Sequence, residues 1–192
     1  TGLNDISLSE KLVSLCTDTF NGCASLKKVT LPEQLSDIEN GAFRSCTAME
    51  TVEVSEGNHS FTTNDGALLT YDETEFIYYP AARYTYQYKM PDSVTHIRSN
   101  AFSKCAGISN LEIPDSVSNA DKNAFSDALS IQNITIGSGF TSIPDNMFSG
   151  CTGLRSIIIP ENITSIGEYA FKGCSNLTSV TIGSGIKSIG KH

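Results

Sequence analysis

The chain has 192 residues, a formal net charge of −8 and 39% hydrophobic residues, which fits one ordinary domain or one short solenoid. Its longest uninterrupted hydrophobic run covers the four residues 76–79, whereas a membrane-spanning helix requires about 18. An acidic surface repels phosphate backbones, and the longest basic run is the pair Lys27 and Lys28, so we do not expect the chain to bind nucleic acid.

A phenylalanine recurs at a regular interval along the chain. Six phenylalanines are spaced 23, 59, 23, 23 and 23 residues apart, and 59 equals two periods plus 13. Apolar residues recur eight and five positions before each phenylalanine and six, nine and eleven positions after it. A period of this length, kept over six copies, predicts a stack of similar coils. The phenylalanines are Phe20, Phe43, Phe102, Phe125, Phe148 and Phe171.

The local pattern predicts which structure each part of the repeat forms. The apolar residues at the ninth and eleventh positions flank one polar residue and precede Pro32, Pro114 or Pro160 in three copies. This is typical of a short strand with one inward face, which proline then ends. The segment around each phenylalanine, such as residues 167–174, favours a single helical turn. Segments 163–166 and 186–189 indicate a second set of very short strands on the opposite wall.

The period is broken once, between Val54 and Pro91, by an expanded repeat. Turn-forming residues at 64–66 and 72–74 bracket the apolar stretches 67–71 and 76–79, which predicts a β-hairpin. The repeat phase resumes at Tyr88 and Met90.

Six of the seven tyrosines lie between residues 71 and 88. Tyrosine concentrates at recognition surfaces because it offers a large rigid ring with a polar tip. The other interpretation is that these rings cover the outer face of their own hairpin. Because Tyr78 and Tyr79 are adjacent, they point to opposite faces of a strand, and we expect one of them to be exposed.

The units at 142–159 and 164–182 closely resemble the leucine-rich-repeat subtype of the bacterial surface antigen BspA. The Ala-Phe pair, the cysteine three residues after Phe and the terminal proline fall in register, and residues 64–80 are similar to a variant unit of the same family. The resemblance covers nearly the whole chain. It implies a secreted or cell-surface protein of host-associated microbes, often within a longer array used for adhesion. The residues themselves contain no signal peptide.

The predicted fold is a leucine-rich-repeat solenoid: a right-handed, curved stack of short parallel strands and single-turn helices, with one expanded repeat that contains a β-hairpin. We expect a single domain over residues 1–192. It comprises two repeats (8–54), the expanded repeat (55–90), four repeats (91–182) and a partial repeat (183–192). Because the sequence stops in mid-repeat at His192 without a polar cap, we expect it to belong to a longer chain.

The cysteines indicate packing rather than chemistry. Five of the six share one repeat position, which Ala128 occupies once, so this position is small and apolar and we expect free thiols. Neighbouring copies lie within disulfide range by distance alone, which leaves oxidation open. Cys16 is out of phase and is expected near the surface. No spacing matches a zinc site, a calcium loop or a catalytic motif, so we expect no metal, no cofactor and no enzymatic activity.

Alternate residues of the front strands should face outward on a concave sheet, where solenoids commonly bind partners. This face is mostly small and polar, and Ile158 either anchors a partner or is a single exposed apolar residue of the ordinary kind. We expect a protein or glycan to bind this face or the tyrosine-rich hairpin; the alternative is a structural spacer without a ligand of its own. The candidate residues are Tyr71, Tyr78, Tyr79, Tyr84, Tyr86, Lys89, Glu112 and Ile158.

Overall fold

The computed structural model describes residues 2–191, so Thr1 and the predicted end of the partial repeat at His192 lie outside the described residues. Two walls of short strands run along the stack, and neighbouring strands within each wall are parallel wherever they pair. The strands of the front wall are β2 (Lys28–Leu31), β4 (Thr51–Val54), β8 (Thr85–Lys89), β10 (Ile108–Ile113), β12 (Asn133–Ile136), β14 (Ser156–Ile159) and β16 (Ser179–Ile182).

The second set of very short strands, expected from the sequence at 163–166 and 186–189, is present and forms the back wall. Its two-residue strands are β1 (Ser14–Leu15), β3 (Asp37–Ile38), β9 (His96–Ile97), β11 (Asn119–Ala120), β13 (Ser142–Ile143), β15 (Ser165–Ile166) and β17 (Ser188–Ile189). A three-stranded meander lies between the first two repeats and the later ones. Its strands are β5 (Phe61–Asn64), β6 (Ala67–Thr70) and β7 (Glu75–Tyr78).

The expected single-turn helices are wrong, because no helix forms anywhere in residues 2–191. The residues two before and two after each phenylalanine have left-handed backbones, with φ between 54° and 75°. Two left-handed residues four positions apart cannot belong to one right-handed helical turn. Each phenylalanine therefore sits in a pair of tight turns, as where the Cys23 amide donates to the Phe20 carbonyl at 3.0 Å. The left-handed residues are Asp18, Gly22, Gly41, Ser45, Asn100, Lys104, Asn123, Asp127, Asn146, Gly150, Tyr169 and Gly173.

The phenylalanines stack in a ladder along the core, as the repeat predicts. Ring centroids of Phe102 and Phe125 are 4.7 Å apart, and those of Phe125 and Phe148 are 5.3 Å apart. Tyr79 takes the phenylalanine position of the expanded repeat and stacks on Phe102 at 5.8 Å with ring planes 10° apart. The front strands keep the 23-residue register, with Leu111 opposite Ile134. Successive coils therefore bury equivalent side chains against each other.

The predicted hairpin is part of the meander, with β5 and β6 antiparallel. Asp65 and Gly66 form its turn with φ of 45° and 79°, the pair of positive values that a two-residue turn of this kind requires. A second turn at Tyr71–Thr74 leads into β7, which pairs in parallel with β9 of the back wall. The meander is thereby hydrogen-bonded into the solenoid rather than attached to its surface.

The meander separates two hydrophobic clusters and is buried on both faces. Leu68 and Tyr78 belong to the cluster of the first two repeats, whereas Leu69 and Tyr79 belong to the cluster of the later repeats. Tyr78 is 3% exposed and Tyr79 is fully buried. The expectation that one of the two is exposed is wrong, because alternate faces of this strand both meet core.

All six cysteines are free, as the repeat position indicates, and Cys16 is exposed as expected. The thiols of Cys46, Cys151 and Cys174 each donate to the carbonyl of the phenylalanine in the preceding coil at 3.1 Å. These thiols therefore act as small packing groups that also tie adjacent coils together.

Candidate binding surfaces

The outward side chains of the front wall line up in rows across neighbouring strands. Gln87 lies opposite Asn110, and Asn110 lies opposite Asn133. The Asn133 amide donates to the Asn110 side-chain carbonyl at 2.8 Å. The parallel register thus produces a row of three amide side chains, of which Asn110 and Asn133 are hydrogen-bonded to each other.

Five of the predicted partner-binding residues lie on or beside this wall. Tyr84 and Tyr86, at the start of β8, are 78% and 67% exposed, and Ile158 on β14 is 66% exposed. Lys89 lies opposite Glu112, and both line a cleft of about 440 Å³ at the end of the strands. The Lys89 ammonium also lies 3.4 Å from the Asp92 carboxylate.

Tyr78 and Tyr79 cannot belong to a binding surface, since their side chains are enclosed in the core. Burial raises the pKa of Tyr79 to about 12 and raises the pKa of Tyr78 as well, because a phenolate would lose its hydration there. For these two residues the sequence-based assignment to partner binding is wrong. The tyrosine excess serves two purposes, with some rings filling the core and others facing solvent.

The remaining candidate, Tyr71, lies on the turn between β6 and β7 and is 56% exposed. Its ring meets His59 edge to face at 5.7 Å between centroids. Both rings line a cleft of about 340 Å³, which Glu75 and Arg98 also line. Tyr71 therefore belongs to a different site from Tyr84 and Tyr86.

The cleft beside Tyr71 is the first of three neighbouring clefts that are linked by shared lining residues, and we call the three together the back groove. The second cleft, of about 350 Å³, also contains Arg98, and the third, of about 430 Å³, shares Thr17, Asn40 and Asp121 with the second. The groove lies where the back wall is interrupted, because β3 pairs with β1 alone whereas β7 pairs with β9. Residues of the first repeat and of later repeats therefore line the same clefts.

Ion pairs fix the middle of the back groove. The Arg98 guanidinium lies 2.6 Å from Glu75 Oε2 and also donates to the Ile38 carbonyl at 2.8 Å, which connects two repeats across the interruption. His96 Nε2 lies 3.0 Å from Asp121 Oδ1. These side chains are held in place by their partners, so the groove has a defined shape.

Hydrogen bonds also hold two acidic residues of the groove, Glu39 and Asp72. The Thr17 hydroxyl and amide both donate to Glu39 Oε2, and these bonds lower the pKa of Glu39. The hydroxyl and amide donors of Thr70 and Thr74 lower the pKa of Asp72 in the same way. A carboxylate that accepts several hydrogen bonds is stabilised in its charged form.

A family model for the BspA type leucine-rich repeat region matches residues 1–80 and 78–192, with six copies. The chain belongs to this BspA-type leucine-rich-repeat family. The resemblance seen in the repeat units is thereby confirmed. A search of curated proteins by sequence found no match.

Solved structures of other proteins show a similar fold. A leucine-rich cell surface protein from Faecalibacterium prausnitzii superimposes with a TM-score of 0.82 at 27% identity, over 92% of this chain and 52% of that one. The pneumococcal vaccine antigen PcpA superimposes with a TM-score of 0.80 at 30% identity, over 86% of this chain and 43% of PcpA. A leucine-rich-repeat protein from Eubacterium ventriosum superimposes with a TM-score of 0.67 over 85% of this chain and 50% of that one. At 19% identity this is a likeness of fold alone. The chain spans about half the length of these relatives.

The described part of this BspA-type chain offers no cluster of three or more His, Cys, Asp or Glu side chains that could hold a metal ion. Nor do residues 2–191 contain a helix suited to crossing a membrane. The back groove was missed by reasoning from the repeat, because its residues occupy polar positions that vary from copy to copy. Arg98 and Asp121 occupy the same position in successive repeats. This change of charge is the one signal in the sequence that could have indicated the back groove.

Proposed function

We propose that the chain is a binding or adhesion module of a secreted or cell-surface protein, and that it recognises a protein or glycan. Membership of the BspA-type family supports a surface location, as does the likeness to a protein described as a cell surface protein. We assign it no enzymatic activity, in keeping with a family that is typically non-catalytic. The observation that carries the proposal is the ordered polar face of the front wall, flanked by two exposed tyrosines.

The front wall has the composition of a recognition surface. Tyr84 and Tyr86 present large rings whose ordering costs little entropy, since tyrosine has few rotatable bonds. The neighbouring amide row supplies donors and acceptors that are already aligned by the strand register. A partner protein would bury the rings and satisfy the amides, which is how interface hot spots and their polar surroundings cooperate.

The test measures binding of the purified chain to intact cells and to purified extracellular-matrix proteins. Replacing Tyr84 and Tyr86 together by alanine should raise the dissociation constant at least tenfold, about 1.4 kcal/mol. Thr164→Ala, an exposed change beside the back wall, is the matched control and should leave binding unchanged. Binding that both variants retain in full would remove this face from the proposal.

The alternative function is a structural spacer within a longer array, with no ligand of its own. The support for it is the uninterrupted stacking of the later repeats, in which Phe102, Phe125, Phe148 and Phe171 form one ladder. Small-angle scattering of the chain would show a rigid elongated particle, and no cell or matrix protein would bind. Saturable binding that is sensitive to the tyrosine variants would rule out a purely structural role.

A further inference from the structure

We propose that the back groove binds a neutral oligosaccharide, with one sugar ring against Tyr71 and its hydroxyls held by Asp72, Glu75 and Arg98. This inference rests on the proposed binding function and gives it a second site, separate from the front wall. It starts from a feature that the packing of the coils does not require: an exposed aromatic pair at the end of a polar depression.

The dimensions of the groove suit an extended polar ligand. Each of its three clefts has the volume of a small-molecule site, typically about 300–1,000 Å³. Small-molecule sites are usually lined by apolar side chains, whereas every side chain that lines these clefts, except that of Ile38, carries a polar group. The surface therefore favours a ligand that carries many hydrogen-bonding groups, and the position of Arg98 in the lining of two adjoining clefts favours a chain of linked units.

The aromatic end supplies the apolar part of the recognition. A pyranose ring has one face of C–H groups that packs against an aromatic ring, while its hydroxyls point sideways to polar partners. Tyr71 is more than half exposed, and His59 packs against it edge to face, which holds the ring in one orientation. Tyr71 is thus a fixed aromatic surface beside polar groups.

The neighbouring polar atoms retain free hydrogen-bonding capacity. Asp72 Oδ1 accepts from Thr70 Oγ1 at 2.7 Å and from the Thr74 amide and hydroxyl at 3.1 and 2.9 Å, but Oδ2 has no partner in another described residue. Glu75 Oε2 is paired with Arg98, whereas Oε1 has no partner within residues 2–191. These open acceptors and the unused N–H groups of the Arg98 guanidinium match adjacent sugar hydroxyls.

The geometry is also set before a ligand arrives. Hydrogen bonds from Thr70 and Thr74 hold the Asp72 loop, and Arg98 is held by Glu75 and by the Ile38 carbonyl. Binding therefore orders few protein groups, which lowers its entropic cost.

The charges of the groove select against an acidic ligand. Its lining contains five carboxylates, those of Asp18, Glu39, Asp72, Glu75 and Asp121, against three permanently cationic side chains. Arg44 and Arg98 are already paired with Asp18 and Glu75. The groove therefore has no surplus positive charge for a phosphate, sulfate or sialic acid group, so we infer a neutral sugar chain.

The experiment is saturation-transfer difference NMR on the intact chain. The probes are neutral trisaccharides built from glucose, galactose, mannose or N-acetylglucosamine, with sialyllactose as the anionic comparison. Saturation should reach the ring protons of at least one neutral probe. Tyr71→Ala should abolish this transfer, whereas Tyr71→Phe should retain it because the ring remains. Val13→Ala, which shortens an equally exposed apolar side chain outside the groove, is the matched control and should also retain it.

The proposal is overturned if none of the neutral probes receives saturation, if transfer is unchanged in Tyr71→Ala, or if sialyllactose alone binds. Circular dichroism of Tyr71→Ala should match the wild-type spectrum, and transfer that returns in Tyr71→Phe shows that the ring itself is required. If the sugar-binding proposal fails, the proposal for the front wall is unaffected, because there the binding to cells and matrix proteins depends on Tyr84 and Tyr86.

Discussion

Removing the hydroxyl of Tyr88 should stabilise the protein. Tyr88 is 1% exposed, and its hydroxyl has no hydrogen-bond partner among the described residues. A buried unsatisfied polar group costs about 1–3 kcal/mol, and we take the loss from removing one buried heavy atom as that of a CH2 group, about 0.8 kcal/mol. The ring keeps its edge-to-face packing against Tyr79 at 5.0 Å and Phe76 at 6.1 Å. Tyr88→Phe should therefore raise the free energy of unfolding by about 1 kcal/mol.

The assay is urea unfolding followed by circular dichroism, supported by calorimetry. For a chain of this size, about 1 kcal/mol corresponds to a rise in Tm of about 2–4 °C. Tyr84→Phe is the control, because its ring is exposed, and it should change stability by less than about 0.5 kcal/mol. A loss of about 1 kcal/mol or more in Tyr88→Phe would mean that the hydroxyl is satisfied in the folded protein, which would refute the reasoning.

Three further predictions concern the core. Phe125→Ala, at a fully buried position of the ladder, should lower the free energy of unfolding in urea by about 3–5 kcal/mol. Phe171→Ala, at the half-buried last position, should lower it by less. Equal losses in the two variants would contradict the stacked arrangement. Burial raises the pKa of the Cys46 thiol to about 12, so labelling by a thiol reagent, followed by mass spectrometry, should modify exposed Cys16 in the native protein and Cys46 only after unfolding. Burial raises the pKa of Tyr79 to about 12. The folded state then keeps a proton that the unfolded state releases near pH 10, and this contribution to stability, complete below about pH 10, is lost as the pH rises towards 12. An unfolding free energy that does not fall over that range would contradict the burial.

The periodic part of the fold could be predicted from the sequence because each coil repeats the same physical problem. Phe102, Phe125 and Phe148 occupy equal positions, so stacking equal coils places them in one ladder. The pattern also contains a signal for the turns. Asn100, Asn123 and Asn146 share one position, and asparagine is among the few residues that tolerate a left-handed backbone.

The expanded repeat could be located but its burial could not be predicted. An alternating strand normally has one face in the core, and that rule predicts an exposed ring at either Tyr78 or Tyr79. The meander instead lies between two hydrophobic clusters, so both faces of β7 are covered. Whether a strand is buried on one face or on both depends on what packs against it, and the residues of the strand alone do not determine this.

The back groove depends on tertiary structure in the same way. Thr17 and Asp121 are far apart in sequence, yet both line the same two clefts. Their proximity follows from the interruption of the back wall, where Arg98 reaches the Ile38 carbonyl. Periodicity places residues within a coil and between adjacent coils, but it does not predict contacts across an insertion.

The meander is an internal partition of the solenoid, and it thereby gives the back groove and Tyr71 a rigid support. Hydrogen exchange with mass spectrometry tests this most directly, by comparing the amides of β6 and β7 with those of β12 and β14. We predict that residues 67–69 and 76–78 exchange as slowly as the front-wall strands of the later repeats. Exchange at the rate of the exposed turns would show that these strands form a surface hairpin, and it would contradict the account.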